Sequence, residues 1–218
     1  MFSNGASGTY NVFRHAVDTA GEDERLTQSS GHQRATGFSP DGRLLFFHDV
    51  DLETAPNLWV LPMADRKPTR LVETKAYERI GTLSPDARWL AYDSNESGRF
   101  EVYVQPWPGL GERRQVSTDG GGNPMWNPRG HELFYTNEDR FMSVSVEASG
   151  GLQVGTPRRL FQSPMVMGEG PGRREYDVTP DGARFLFVEE TAPPQLNVVV
   201  NWFEELTRRV PVAGPPAR

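Results

Sequence analysis

Three arginines recur at one fixed offset in this chain of 218 residues. Arg34, Arg79 and Arg174 each lie six residues ahead of a turn proline, namely Pro40, Pro85 and Pro180, and Gly122 holds the same place ahead of Pro128. A guanidinium presents a planar fork of donors to a carboxylate or phosphate. Three of them repeated around a common axis would ring one mouth of a channel and attract a small anionic ligand or a partner protein's acidic segment. The alternative is that each pairs with a nearby Asp or Glu, or lies exposed on the rim. Clustering of the guanidinium groups separates the two.

The other reactive side chains form no catalytic constellation. His15, His32, His48 and His131 include no pair at metal-ligand spacing, and His131-Glu132 lacks the second histidine of a metalloprotease helix. Asp49, Asp51 and Glu53 could gather round calcium, but a solvated acidic loop is the simpler reading. There is no cysteine, which excludes disulfides and thiolate chemistry. No Gly-x-Ser-x-Gly elbow occurs. The stretch Gly168–Gly172 resembles a dinucleotide fingerprint only superficially: no strand-helix unit surrounds it and Pro171 interrupts it, so 165–173 reads as a loop. Asn95-Glu96-Ser97 reads as a polar hairpin turn. The expectation is a non-enzymatic chain with no cofactor and no metal.

Composition narrows the partners. The net charge of −6, from 23 basic and 29 acidic side chains, argues against a nucleic-acid surface. No segment approaches the roughly 18 consecutive apolar residues of a membrane helix, so this segment inserts no helix in a bilayer. Hydrophobic residues are 36% of the chain, alongside 22 Gly and 18 Pro, which fits short strands joined by polar turns.

The turns are the repeat. Phe38-Ser39-Pro40-Asp41-Gly42-Arg43 is echoed at Leu83–Arg88, Trp126–His131 and Val178–Ala183, each running into an apolar strand. The prolines are 45, 43 and 52 residues apart, the signature of a repeat architecture. Proline presets φ near −65°, Asp suits the next place and Gly supplies the positive φ that folds one strand back on the other. Ala87 stands in the glycine place of the second copy and predicts left-handed strain there. A phosphate-cradling role for this turn is disfavoured, since no helix follows it.

Each turn sits between a strand a and a strand b (44–48, 89–93, 132–136, 184–188). A strand c follows (57–61, 100–105, 141–146, 197–201), then a strand d near 69–72, 113–116 and 158–161. Four short strands per roughly 45 residues make the blade of a β-propeller. The expected fold is all-β: four-stranded antiparallel blades in an incomplete ring of about four blades plus a leading half-blade. The propeller spans 1–211, with repeats near 1–30 (partial), 31–75, 76–118, 119–163 and 164–211, and 212–218 as a disordered tail. An incomplete ring leaves strand edges unpaired and favours self-association. Trp59, Trp89, Trp107, Trp126 and Trp202 are expected in packing between blades, with Trp107 the most exposed.

The Ser-Pro-Asp-Gly turn with its apolar strand resembles the repeat of TolB-like, WD40-like (PD40) propellers over nearly the whole chain. The stretches 89–109, 115–135, 176–187 and 197–211 are similar to the C-terminal propeller of bacterial membrane-bound serine/threonine kinases. That resemblance implies a periplasmic or extracytoplasmic protein-binding or ligand-binding module, the sensor or scaffold part of a kinase-like protein. No kinase signature lies in these residues, so any kinase activity would reside elsewhere. Two other settings remain open: the accessory propeller of a prolyl-oligopeptidase-type hydrolase, and a free-standing periplasmic TolB-like protein acting through protein contacts.

Overall fold

The computed structural model describes residues 2–4, 8–16, 21–50, 57–72, 74–109, 111–147, 151–163, 174 and 176–187. These residues form 18 strands and no helix. They group into successive antiparallel sheets, the blades of an incomplete propeller. The first holds β1 (Phe2–Asn4), β2 (Asn11–Arg14) and β3 (Glu24–Arg25). The second holds β4 (His32–Phe38), β5 (Leu44–Val50), β6 (Asn57–Pro62) and β7 (Thr69–Arg70). The third holds β8 (Glu78–Leu83), β9 (Trp89–Ser94), β10 (Glu101–Pro106) and β11 (Arg114–Gln115). The fourth holds β12 (Gly122–Trp126), β13 (Glu132–Asn137), β14 (Arg140–Glu147), β15 (Gln153–Val154) and β16 (Arg158–Gln162). Strands β17 (Tyr176–Val178) and β18 (Phe185–Phe187) pair as the last hairpin. The short β15, which pairs with the end of β14, had no counterpart in the sequence pattern. Strand c at 197–201, the loop at 165–173 and the tail at 212–218 lie outside the described residues.

The apolar core runs between blades. One cluster joins Val12 and Leu26 to Leu45, Phe47 and Leu61, and the next joins Phe46, Leu58 and Val60 to Leu83, Leu90 and Tyr92. A third joins Val102 and Val104 to Trp126, Leu133 and Tyr135, and the last packs Phe134 and Phe141 against Tyr176, with Phe185 and Phe187 alongside. Each of the three inner blades is therefore half of two interfaces, and the first sheet and last hairpin of one, and the large side chains are spent there. Trp107 follows this rule rather than the expected exposure: it is half-buried, as are Trp59 and Trp89, and meets Phe46 of the preceding blade edge-on at 5.8 Å.

The turns are built by their own side chains. Ser39 Oγ donates to Asp41 Oδ1 at 2.6 Å, Asp41 Oδ1 accepts from Arg43 N, and Ser39 Oγ accepts from Leu44 N. Ser84 and Asp86 repeat the pattern, as do Thr179 and Asp181. These bonds hold the Asp41 and Asp181 carboxyls below the usual carboxylate range. In the third copy Arg129 replaces the aspartate, and Asn127 Oδ1 caps the Arg129 N–H instead, at 3.0 Å. Ala87 takes φ 54°, close to the 70° of Gly42 and 68° of Gly182, so the strained geometry is kept without glycine.

Candidate binding site at the start of the inner strands

The first strand of each blade carries the repeated arginine position, and the strand after it supplies a fixed partner. Arg34 on β4 stands opposite His48 on β5, Arg79 on β8 opposite Asp93 on β9, and Gly122 on β12 opposite Thr136 on β13. Counting eight residues beyond each turn proline reaches His48, Asp93 and Thr136, so the same ruler that exposes the arginines would have found their partners. Sequence reasoning took His48 only as a failed metal ligand and passed over Asp93.

A bulge sits at or just after this position in three blades: register shifts fall between Ala35 and Gly37, Arg79 and Thr82, and Gly122 and Met125. Ile80 and Asn123 take left-handed φ values of 49° and 54° there. For a β-branched residue such as Ile80 that conformation is costly, and it re-aims the neighbouring side chains. No propensity argument predicts it.

The three arginines have different partners. Arg79 Nη2 bonds Asp93 Oδ2 at 2.9 Å, and its guanidinium carbon lies 3.5 Å from the centroid of the Phe100 ring. This is the local pairing that stood as the alternative to a free cation. Arg174 donates from Nε to Thr36 O at 3.1 Å and from Nη1 to Pro124 O at 3.4 Å, so one guanidinium spans from the second blade to the fourth. Arg34 has neither a carboxylate nor a carbonyl partner among the described residues; it lies 5.8 Å from the centroid of Tyr10, itself 43% exposed and tilted against His32.

Two buried groups link the set. His48 is 1% exposed, and burial, with Arg34 and Arg79 adding to it, pushes its pKa down to about 3, which keeps the ring neutral at pH 7. Asp93 is also 1% exposed; burial pushes it up, against the pull of Arg79 and a backbone bond from Asn123. Burial lowers the pKa of Arg174, and Asp93 acts on it in the opposite sense. Arg34, opposite His48 in the ladder, and Arg79 thus act on one imidazole, and Arg79 and Arg174 share the field of one carboxylate. His48 Nδ1, Asp93 Oδ1 and Asn123 Oδ1 are sequestered without a hydrogen-bond partner among the described residues. The inner strands around them are tied side by side: Thr36 Oγ1 donates to Gly81 O, Trp126 Nε1 to Thr82 O, and Tyr176 Oη to Asn123 O.

The profile of the family described as the TolB beta propeller domain (PD40) matches residues 2–202. The chain belongs to that family. Among solved structures, this TolB-type propeller is similar to a TolB described as putative from Agrobacterium tumefaciens, at 17% identity and TM-score 0.67, over 86% of this chain and 70% of that one. It is similar to TolB from Acinetobacter baumannii at 13% identity and TM-score 0.62, over 80% of this chain and 43% of that one. It also matches a puromycin-hydrolyzing peptidase from Mycobacterium tuberculosis at 18% identity and TM-score 0.52, over 72% of this chain but 28% of that one. At these identities the likeness is one of fold.

The remaining candidates are quickly placed. Among the described residues no group of three or more His, Asp or Glu is placed to hold a metal ion. Asp51 and Glu53 of the acidic turn and the glycine-rich 168–172 lie outside the described residues, and Asp49 accepts from Gln33 Nε2 at 3.0 Å. Asn95 caps its neighbour strand, with Oδ1 accepting from Tyr77 N at 2.8 Å. No helix of the described residues is long and apolar enough to cross a membrane.

Proposed function

We propose that this TolB-type propeller is a non-catalytic binding module that receives an acidic group, a carboxylate of a partner protein or a small anion, where Arg34, Arg79 and Arg174 open onto the inner strands. In a longer protein it serves as the extracytoplasmic sensor or scaffold part of a bacterial serine/threonine kinase-like protein. The observation that carries the binding reading is Arg34. Its guanidinium leans on an exposed tyrosine without a counter-charge, while His48 beside it is held neutral and the Asp93 carboxylate is already engaged by Arg79. The local excess is positive on a chain whose net charge is −6.

Calorimetric titration with hexaglutamate tests this. Saturable binding that weakens about tenfold in Arg34→Glu and falls with added salt supports the reading. Equal affinity in wild type and Arg34→Glu contradicts it. The kinase setting is tested by the coding sequence upstream of Met1: a kinase domain and a membrane helix there support it, and a signal peptide followed by further blades contradicts it.

A further inference from the structure

A cleft opens at the other end of the innermost strands, where the β8–β9 turn faces the β12–β13 turn of the next blade. It measures about 160 Å³ and is walled by Pro85, Trp89, Trp126 and Val146, with Arg129 and His131 on its rim. The walls are held in place. The Trp126 indole N–H is committed to Thr82 O at 3.3 Å, Trp89 packs against the core between the two blades, and Val146 N donates to His131 O at 2.9 Å. This is a preformed apolar slot rather than a gap between mobile side chains.

Its charge is set by one departure from the repeat. Arg88 is neutralised by Asp86 at 2.7 Å, whereas Arg129 is exposed and makes no direct ion pair among the described residues, its charge being felt by the Asp181 carboxylate of the following turn. The other three turns carry an aspartate at that place, Asp41, Asp86 and Asp181. Because Asn127 has taken over the capping bond, the turn makes no use of the Arg129 side chain. Beyond His131 the cleft continues into a polar depression of about 360 Å³ lined by Ser143, Ser145, Thr156 and the paired Glu132 and Arg158, 3.1 Å apart.

We propose that this cleft is a peptide-docking site: an acidic segment of a partner protein places one aromatic side chain against Trp89 and Trp126 and a neighbouring carboxylate on Arg129. Size, chemistry and charge argue for that occupant together. A cavity of about 150 Å³ admits a single benzene-sized ring. Indole walls favour an aromatic ring in stacked or edge-on contact. The exposed guanidinium, which forms no direct ion pair, selects a carboxylate beside the ring. The polar extension accommodates residues on either side, which a free aromatic acid lacks. The site is independent of the anion site at the opposite end of the same strands.

The test titrates acetyl-Asp-Glu-Phe-Glu-Asp-amide into the ¹⁵N-labelled full chain and follows the indole N–H resonances. The expected result is a saturable shift of Trp89 and Trp126 with Trp59 unchanged, and loss of binding when alanine replaces the peptide's phenylalanine. Arg129→Asp restores the residue carried by the other turns and so preserves folding; it should weaken binding about tenfold. The proposal is overturned if the alanine peptide shifts the same resonances at the same midpoint, if Arg129→Asp binds as wild type, or if phenylacetate saturates the cleft as readily as the peptide.

Discussion

Replacing Arg174 with methionine should loosen the ring at its centre. The guanidinium ties Thr36 O at 3.1 Å and Pro124 O at 3.4 Å, groups 138 and 50 residues away in sequence. A hydrogen bond from a charged donor contributes about 1.5–3 kcal/mol, and the longer of these two lies beyond good geometry. Removing a partly buried charge returns some of its desolvation cost, the same burial that lowers the Arg174 pKa. The net loss is about 2–3 kcal/mol. For a domain of this size that is a fall of roughly 4–12 °C in the melting midpoint. Thermal and urea unfolding followed by circular dichroism read it directly. Arg174→Lys keeps the charge but not the fork, and should recover less than half the loss. A methionine variant melting within about 1 °C of wild type would refute the idea that this side chain bridges the blades.

Ala87→Gly should stabilise the chain by about 0.5–1 kcal/mol, because the alanine holds φ 54° where glycine is unstrained; equilibrium unfolding that shows no gain would leave the turn strain unsupported. Gly81→Ala should cost about 1–3 kcal/mol, since an added Cβ would stand 2.8 Å from both methyls of the fully buried Leu58 in the preceding blade; an unchanged midpoint in urea would mean the two blades pack less closely than described. His48 should make the protein acid-sensitive. Its folded pKa of about 3 lies below the ordinary 6.5, so the unfolded chain binds the proton first and stability is lost as pH falls from 6.5 towards 3, on the order of 4–5 kcal/mol in full. Between pH 7 and 4 wild type should lose about 3 kcal/mol more stability than His48→Gln, the part of that contribution falling in this window; parallel curves would contradict it.

The fold was legible because its signal is written several times. Ser39-Pro40-Asp41-Gly42 and its copies each encode one turn through bonds within a few residues, and local chemistry repeated at a period near 45 needs no knowledge of tertiary contacts. The arginine positions were legible for the same reason. The cross-hairpin partners lie at a fixed count as well, eight residues beyond each turn proline, but the reach of Arg174 to Thr36 across the molecule does not, because spacing along the chain says nothing of which carbonyl a guanidinium will find. The bulge at Ile80 opposes a β-branched residue's own preference, so it emerges only from packing, whereas Asn123 is of a type that accepts the left-handed region. Trp107 looked exposed beside Pro106 and Pro108, yet the neighbouring blade offers Phe46 to cover it. The charge reversal at Arg129 was visible in the sequence, but it gained meaning only once Trp89 and Trp126 were seen beneath it.

The proposed anion-receiving site of Arg34, Arg79 and Arg174 borders two buried groups, His48 in the field of Arg34 and Arg79 and Asp93 in that of Arg79 and Arg174. The most direct measurement is the imidazole spectrum of the four histidines at pH 7 during titration with hexaglutamate. Saturable shifts are expected for His48, opposite Arg34 and in the field of Arg79, and for His32 beside Tyr10, while His15 and His131 stay in place. A titration that leaves His48 and His32 unmoved, or that moves all four histidines alike, would contradict it.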